Sequence, residues 1–186
     1  MKKILVAVSG GVDSIVLVDF LIDFFKQKNG LKWVKDNLII AHFEHGIRGK
    51  ESVRDFDFVR KFAYKNNLRF EFERGFLGEN ASEEKARKAR YDFLRALAER
   101  ENAEIFTAHH KNDLAETFVL NLNRGGGWRA IACFDSPNIK RPFLKFSKAE
   151  ILSKAQEKSL KWCEDSTNLS EKYARNRIRK KINFSE

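Results

Sequence analysis

The chain has 186 residues, enough for one α/β domain with a solid core. Its 36 Lys and Arg residues outnumber its 26 Asp and Glu residues, and the net charge of +10 favours a polyanionic partner. No apolar run reaches the roughly 18 residues of a membrane span, and Met1–Lys3 leads directly into an apolar strand, so we expect neither a membrane anchor nor a signal peptide. The two cysteines, Cys133 and Cys163, are too far apart to form a C-x-x-C motif. They indicate free thiols in a reducing, cytoplasmic compartment.

Short apolar runs alternate with longer amphipathic ones, which predicts a doubly wound parallel sheet with helices on both faces. The predicted strands are 3–8, 38–43, 69–73 and 105–107, and an extended piece is predicted over 141–144. The predicted helices are 14–28, 52–66, 82–102, 113–123, 147–158 and a strongly basic helix over 173–182. Ser82 and Ser147 are predicted helix caps. In the helix 113–123 the side chains of Leu114, Phe118, Val119 and Leu122 are predicted to face the core.

The segment Ser9-Gly10-Gly11-Val12-Asp13-Ser14, called the glycine loop below, joins the first predicted strand to the first helix. Glycine lets the backbone approach a phosphate, and the free N–H groups at a helix N-terminus attract anions. Asp13 repels a phosphate, but it suits a divalent cation that bridges it to phosphate oxygens. The loop matches neither G-x-x-x-x-G-K-[ST] nor G-x-G-x-x-G, which disfavours both of those nucleotide-binding folds. The alternative is an ordinary strand-to-helix turn.

Polar side chains follow several of the predicted strands, at the edge where ligands bind in open α/β sheets. His42, Glu44, His45 and Arg48 accompany the end of the second strand, and His109 and His110 follow the fourth. Asp113 and Glu116 share one helix face a turn further on, where they either bind a ligand or complement the helix dipole. Zinc is disfavoured because the histidines lack the spacing of ligands.

Two arginines near the start of the helix 82–102, Arg87 and Arg90, share one face with Tyr91 close by. An ordinary ion pair between Glu83 and Arg87 is the alternative to a functional role for this face.

Blocks of motifs along residues 3–182 resemble, in order, the tRNA(Ile)-lysidine synthetase family of PP-loop ATP pyrophosphatases. They are the glycine loop, His42–Gly49 with Glu51-Ser52, Ala86–Tyr91, Thr107–Thr117, Arg124–Gly127, Arg141-Pro142, Trp162–Asn168 and Arg175–Arg179. The glycine loop alone resembles only the wider superfamily. Asn112 departs from the pattern, because many members carry two adjacent aspartates there.

The resemblance implies a PP-loop domain over 1–145 and a helical extension over 146–186 that leads to a tRNA-binding region. It also implies an ATP-dependent reaction at the wobble cytidine of an isoleucine tRNA, with Mg²⁺ and free L-lysine and without a membrane. Cytidine O2 would take the α-phosphate of ATP and release pyrophosphate, and the lysine ε-amine would then attack C2 and expel AMP. A homodimer is compatible with this interpretation.

Site residues follow from the resemblance by position. The implied catalytic residues are Asp13, Arg87, His109 and Asp113. The implied ATP and pyrophosphate ligands are Ser9, Gly10, Gly11, Val12, Asp13, Ser14 and His45, with Asp13 also binding Mg²⁺. Asp113 and Glu116 would bind lysine, and Arg48, Arg175 and Arg179 would contact tRNA. Another PP-loop tRNA-modifying enzyme, or a truncated nucleotide- or tRNA-binding module, remains the alternative.

Overall fold

A computed structural model describes residues 2–46, 49–75, 78, 82–123, 125, 138–164 and 178. These residues form five strands, β1 (Lys3–Ala7), β2 (Leu38–Glu44), β3 (Arg69–Arg74), β4 (Ala103–Phe106) and β5 (Ile139–Lys140). They also form six α-helices, α1 (Val12–Asn29), α2 (Leu31–Asn37), α3 (Lys50–Lys65), α4 (Glu83–Glu101), α5 (Lys111–Asn123) and α6 (Lys148–Glu157), and a 3-10 turn at Pro142–Lys145. Within the described ranges no helix is long and apolar enough to cross a membrane.

The five strands form one parallel sheet in the order β3-β2-β1-β4-β5, which confirms the predicted doubly wound fold. Strands β2 and β3 are added in order on one side of β1. Helix α4 then carries the chain to the other side of β1, where β4 pairs with it. In the register of the sheet, Leu5 of β1 lies between Ile39 of β2 and Ile105 of β4. The strand order therefore reverses between β1 and β4, which is where open sheets of this kind bind ligands.

The alternation of side chains along the strands divides the core between the two faces of the sheet. Val6 and Ile40 lie in one cluster with residues of α1, α3 and α6, whereas Leu5 and Ile39 lie in a second cluster with residues of α4. Because successive strand residues point to opposite faces, both faces of these central strands are buried. Helix α6 thus packs in the same core as α1, and the domain boundary predicted after residue 145 stays a prediction.

Helix α5 differs from its prediction in the face that it buries. Phe118 and Leu122 are 37% and 47% exposed, so the prediction that they face the core was wrong. The buried residues of α5 are instead Asn112 and Glu116. The Asn112 side-chain oxygen accepts a hydrogen bond from the backbone N–H of Lys148 at 2.9 Å, which turns the polar face of α5 toward the start of α6.

The remaining differences are short elements. The segment predicted to be extended over 141–144 is largely the 3-10 turn, with Pro142 at its first position, where the fixed φ of proline suits a helical turn. Helix α2 and strand β5 were not predicted. Both predicted caps are confirmed, since Ser82 accepts from Lys85 N and Ser147 forms a full capping box with Glu150.

A network of ion pairs joins the amino ends of the strands, at the edge of the sheet away from the glycine loop. Glu101, the last residue of α4, accepts hydrogen bonds from Arg69 Nη1 at 2.7 Å and from Lys3 Nζ at 2.9 Å. Glu71 binds Arg69 and Arg100 at 2.7 and 2.8 Å. The hydrogen bonds from Arg69, and then from Lys3, lower the pKa of Glu101 from 4.5 to about 2.

We predict that Glu101→Gln lowers the free energy of unfolding at pH 7 by about 1–2 kcal/mol, because a neutral amide loses the charge that three basic side chains share. The depressed pKa means that this stabilisation is complete above pH 4.5 and is lost as the pH falls toward 2. Urea unfolding of wild type and variant across pH 2–7 measures both effects. Glu84→Gln, at an exposed position of α4, is the control, and an E101Q variant as stable as wild type at pH 7 would contradict the prediction.

Candidate active site

The glycine loop lies between the end of β1 and the first turn of α1, at the carboxyl edge of the sheet. Gly11 occupies the cap position of α1 and no side chain caps that helix. Ser14 Oγ donates to Gly11 O at 2.8 Å, and Gly11 N donates to Ser9 Oγ at 3.3 Å. These bonds shape the turn and leave the N-terminus of α1 available to an anion.

Gly10 is the residue of the loop that no other amino acid replaces without strain. Its φ of +98° is rarely adopted by L side chains, and an added Cβ would lie 3.3 Å from Val59 Cγ2 and 3.7 Å from Cys163 Sγ. The Gly10 carbonyl accepts a hydrogen bond from Cys163 N at 2.9 Å. The loop is therefore packed between α3 and the segment that follows α6.

That segment, residues 160–164, crosses the glycine loop and is anchored at both ends. At one end Leu160 N donates to Ala155 O of α6 at 2.9 Å. At the other end Arg54 Nη2 of α3 donates to Glu164 O at 3.1 Å. Cys163 is not part of a disulfide, as predicted. The contacts of this segment connect α6, the loop and α3 into one assembly.

Two carboxylates and a histidine meet where the strand order reverses. Asp13 lies in the first turn of α1 and Asp113 in the first turn of α5. The Nε2 atom of His110 lies 3.9 Å from Asp13 Oδ2 and 3.4 Å from Asp113 Oδ2. His110 is only 4% exposed, so its ring is buried between the two carboxylates.

Asp113 also caps the N-terminus of its helix, α5. Its Oδ2 accepts a hydrogen bond from His110 N at 3.0 Å, the backward bond of a helix cap. This bond gives Asp113 a structural role, and both predicted interpretations of the carboxylate, as a partner of the helix dipole and as a ligand-binding group, stay predictions. Glu116, one turn later, is fully buried at 0% exposure, which is rare for a carboxylate and typical of one with a specific partner.

Lys148 joins this cluster from the first turn of α6 and was not predicted from the sequence. Its Nζ atom lies 2.6 and 2.7 Å from the two carboxylate oxygens of Asp13. Its backbone N–H donates to Asn112 on α5. A lysine at the start of an amphipathic helix carries no local signal of such a contact, since the partner lies 135 positions away.

The other predicted residues have the following positions. His109 Nδ1 lies 2.8 Å from Thr107 Oγ1, and the His45 ring lies edge-on to Phe43 with centroids 4.9 Å apart. The Arg87 guanidinium lies 5.0 Å from the centre of the Tyr91 ring, in the second turn of α4. His42, which the sequence also places at this edge, donates from Nδ1 to Val8 O at 2.8 Å and so joins β2 to the end of β1.

The predicted tRNA contacts Arg48, Arg175 and Arg179 lie outside the described residues, as do Cys133 and the predicted basic helix apart from Ile178. Their roles stay predictions.

The sequence model of the PP-loop domain matches residues 1–185. The chain belongs to this PP-loop family. It is 39% identical over 97% of its length to the tRNA(Ile)-lysidine synthase of Thermotoga sp. strain RQ2, and 41% identical over 97% to that of Thermosipho africanus. It spans 44% and 43% of those relatives, so it corresponds to less than half of each.

Two solved structures share the PP-loop fold. The U34-tRNA thiolase NcsA from Methanococcus maripaludis, described with its [4Fe-4S] cluster, aligns with 88% of this chain and 59% of its own at a TM-score of 0.70 and 21% identity. The NH3-dependent NAD synthetase from Campylobacter jejuni aligns with 96% of this chain and 72% of its own at a TM-score of 0.53 and 19% identity. At these identities the likeness concerns the fold.

We predict that Gly10→Ala destabilises the chain more than Gly30→Ala does, because the new Cβ combines a φ that strains L side chains with contacts to Val59 and Cys163. Gly30→Ala is the matched control: its φ of +84° imposes a similar backbone strain, but a Cβ there meets nothing within 4 Å. Thermal unfolding of both variants measures the difference. Equal losses in both variants would show that the packing around Gly10 is unimportant.

Proposed function

We propose that this chain carries the ATP-dependent chemistry of a tRNA(Ile)-lysidine synthetase, a ligase that forms a carbon–nitrogen bond. The observation that carries the proposal is the meeting of the glycine loop, Asp13, His110 and Asp113 at one point of the sheet. The similarity to tRNA(Ile)-lysidine synthases over 97% of the chain supports it. Because the chain spans less than half of those relatives, their substrates are part of the proposal.

The proposed reaction attaches L-lysine to C2 of the wobble cytidine, position 34, in an isoleucine tRNA with a CAU anticodon, changing its codon from AUG to AUA. The C2 oxygen is a poor leaving group. Cytidine O2 therefore attacks the α-phosphorus of ATP, which forms an O–P bond and releases pyrophosphate. The lysine ε-amine then forms the C2–N bond, the C2–O bond breaks, and AMP leaves with the former oxygen.

In this scheme the glycine loop binds the phosphates that leave as pyrophosphate. The uncapped N-terminus of α1 presents N–H groups and the positive end of the helix dipole to them. Ser9 and Ser14 hold the loop in shape, and the absence of a side chain at Gly10 and Gly11 allows close approach.

The residues present fit Mg²⁺, which neutralises charge on the phosphates when it is bound. Asp13 offers two carboxylate oxygens that already accept a cation, the Lys148 ammonium. Among the described residues no three or more His, Cys, Asp or Glu side chains form a metal site by themselves. Asp13 would therefore hold the ion together with phosphate oxygens, the usual mode for Mg²⁺ at nucleotides.

The carboxylates of α5 suit the lysine substrate. Asp113 and Glu116 would bind its ammonium groups by charge-assisted hydrogen bonds. The ε-amine has an ordinary pKa of about 10.4 and must lose a proton before it attacks. His110, which lies between the carboxylates, or His109 would accept that proton. Arg87 would supply positive charge to the α-phosphate or the base, and His45 would contact ATP.

The tRNA would bind through its phosphates to basic residues, among them Arg48, Arg175 and Arg179. The net charge of +10 supports this, and such binding weakens steeply with salt. The target cytidine has to leave its stack to reach a pocket at the sheet edge. A cytoplasmic location and a homodimer are further parts of the proposal that the assays below do not require.

Another PP-loop tRNA-modifying enzyme is the second candidate, and the similarity in fold to a tRNA thiolase favours it. It would use ATP and tRNA without lysine. A nucleotide- or tRNA-binding module without catalysis is a third possibility, which predicts binding without formation of AMP.

We predict that the protein forms AMP and incorporates labelled lysine only when ATP, Mg²⁺ and an isoleucine tRNA transcript with a CAU anticodon are all present. Asp13→Asn should lower tRNA-dependent pyrophosphate release by about 100-fold or more, since it removes the charge that holds the cation. Thin-layer chromatography measures AMP, and scintillation counting of tRNA measures lysine. Lysine incorporation has to be tested with the C-terminal region of a relative supplied as well as without it. Pyrophosphate release without lysine incorporation in both formats would favour the second candidate, and near-normal release by D13N would refute the role of Asp13.

We predict that Asp113→Asn raises KM for lysine by about tenfold or more, while KM for ATP changes little, because only the ammonium ligand is lost. The amide still offers an oxygen to His110 N, so the helix end is preserved. Asp36→Asn on α2, which removes an exposed carboxylate paired with Lys32, is the control. An unchanged KM for lysine would rule out the role of Asp113 in recognition.

A further inference from the structure

Lys148 and Asp13 form an ion pair inside the candidate active site. The ammonium contacts both carboxylate oxygens, at 2.6 and 2.7 Å, and both side chains are partly buried, with 37% and 29% of their surface exposed. The ring of His110 also lies near Asp13, with Nε2 at 3.9 Å from Oδ2. Asp13 is thus held chiefly by Lys148 when nothing else is bound.

The backbone of Lys148 is anchored by α6 itself, whereas its ammonium is held by the contact with Asp13. The backbone N–H donates to buried Asn112, and the capping box of Ser147 and Glu150 defines the start of α6. Ile151 and Ala155 anchor the helix in the core. Among the described residues the Lys148 ammonium hydrogen-bonds to Asp13 alone, so rotation of its side chain moves the charge without moving any element.

Mg²⁺ and the ammonium compete for the same oxygens. Mg²⁺ binds carboxylate oxygens at about 2.0–2.1 Å and tolerates no second cation on them. Phosphates at the N-terminus of α1 would lie within the reach of a lysine side chain, because Asp13 itself belongs to the first turn of that helix. An ammonium displaced from Asp13 therefore has phosphate oxygens as its nearest anionic partners.

We propose that Lys148 exchanges partners during nucleotide binding: it neutralises Asp13 in the free protein, and it moves to the phosphates when ATP and Mg²⁺ bind. This makes Lys148 an ATP-binding residue of the site, contributed by α6. The inference rests on the ATP binding of the proposed function and is independent of lysine and tRNA. Asn112 positions Lys148, because its side-chain oxygen accepts a hydrogen bond from the Lys148 backbone N–H. A carboxylate at position 112 could supply an equivalent oxygen.

The exchange predicts effects of opposite sign in Lys148→Met. Without nucleotide, Mn²⁺ as a probe of the cation site should bind several-fold more tightly than in wild type, because its competitor is gone. In the presence of Mg²⁺, ATP should bind at least about tenfold more weakly, because one charge-assisted contact to phosphate is lost. Electron paramagnetic resonance of free Mn²⁺ measures the first, and calorimetry the second.

Lys154→Met is the matched control, since it removes an equal charge from α6 at a residue paired with Glu157. It should change neither affinity. Lys148→Arg keeps the charge, so it should retain most of the ATP affinity and should fold as wild type does, which guards against a misfolded K148M. Weakening of both Mn²⁺ and ATP binding, or unchanged ATP affinity in K148M, would overturn the proposal. Failure to incorporate lysine, together with the opposite shifts in K148M, would refute the proposed function and leave the role of Lys148 standing.

Discussion

The geometry of the site depends on one constraint, the crossover that carries the chain from β3 through α4 to β4 on the far side of β1. This crossover makes β1 and β4 neighbours in the sheet. The helices that follow them, α1 and α5, therefore begin at the same edge of the sheet. The N-terminus of α1 therefore lies next to the first turn of α5, where His110 contacts both Asp13 and Asp113. A sheet with β4 at its outer edge would separate Asp13 from Asp113, and neither phosphate nor amine would meet both.

Helix α6 and the segment after it complete this edge from the other end of the chain. The helix is held by apolar packing against α1, while its first residue, Lys148, contacts both Asn112 and Asp13. Residues 160–164 then return over the glycine loop and bond to Gly10 and Arg54. The candidate active site is consequently built from early and late parts of the sequence together. A domain ending at residue 145 would lack both contributions.

The sequence predicted most of the strands and helices, because local periodicity specifies them and because glycines and serines mark their ends. It also predicted that residues after β1 and β4 meet, since parallel strands end at one edge. It missed the burial of α5, where Asn112 is buried and accepts a hydrogen bond from Lys148 N while Phe118 and Leu122 are exposed. It missed Lys148 for a related reason: an ion pair across 135 positions leaves no trace in local spacing. His110 was visible as a histidine, but only the fold shows that it, and not His109, lies between the two aspartates.

The ion pairs at the two edges of the sheet differ in how many basic side chains contact one carboxylate. At the amino ends of the strands, Glu101 receives hydrogen bonds from several basic side chains at once, so the loss of one contact leaves the others in place. At the carboxyl ends, Asp13 receives one ammonium, beside a helix terminus that attracts anions. A carboxylate in a shared network keeps partners when one contact is lost, whereas a carboxylate held by a single ammonium does not. The start of α1, which no side chain caps, lies at this second edge, where a bound anion would satisfy its backbone N–H groups.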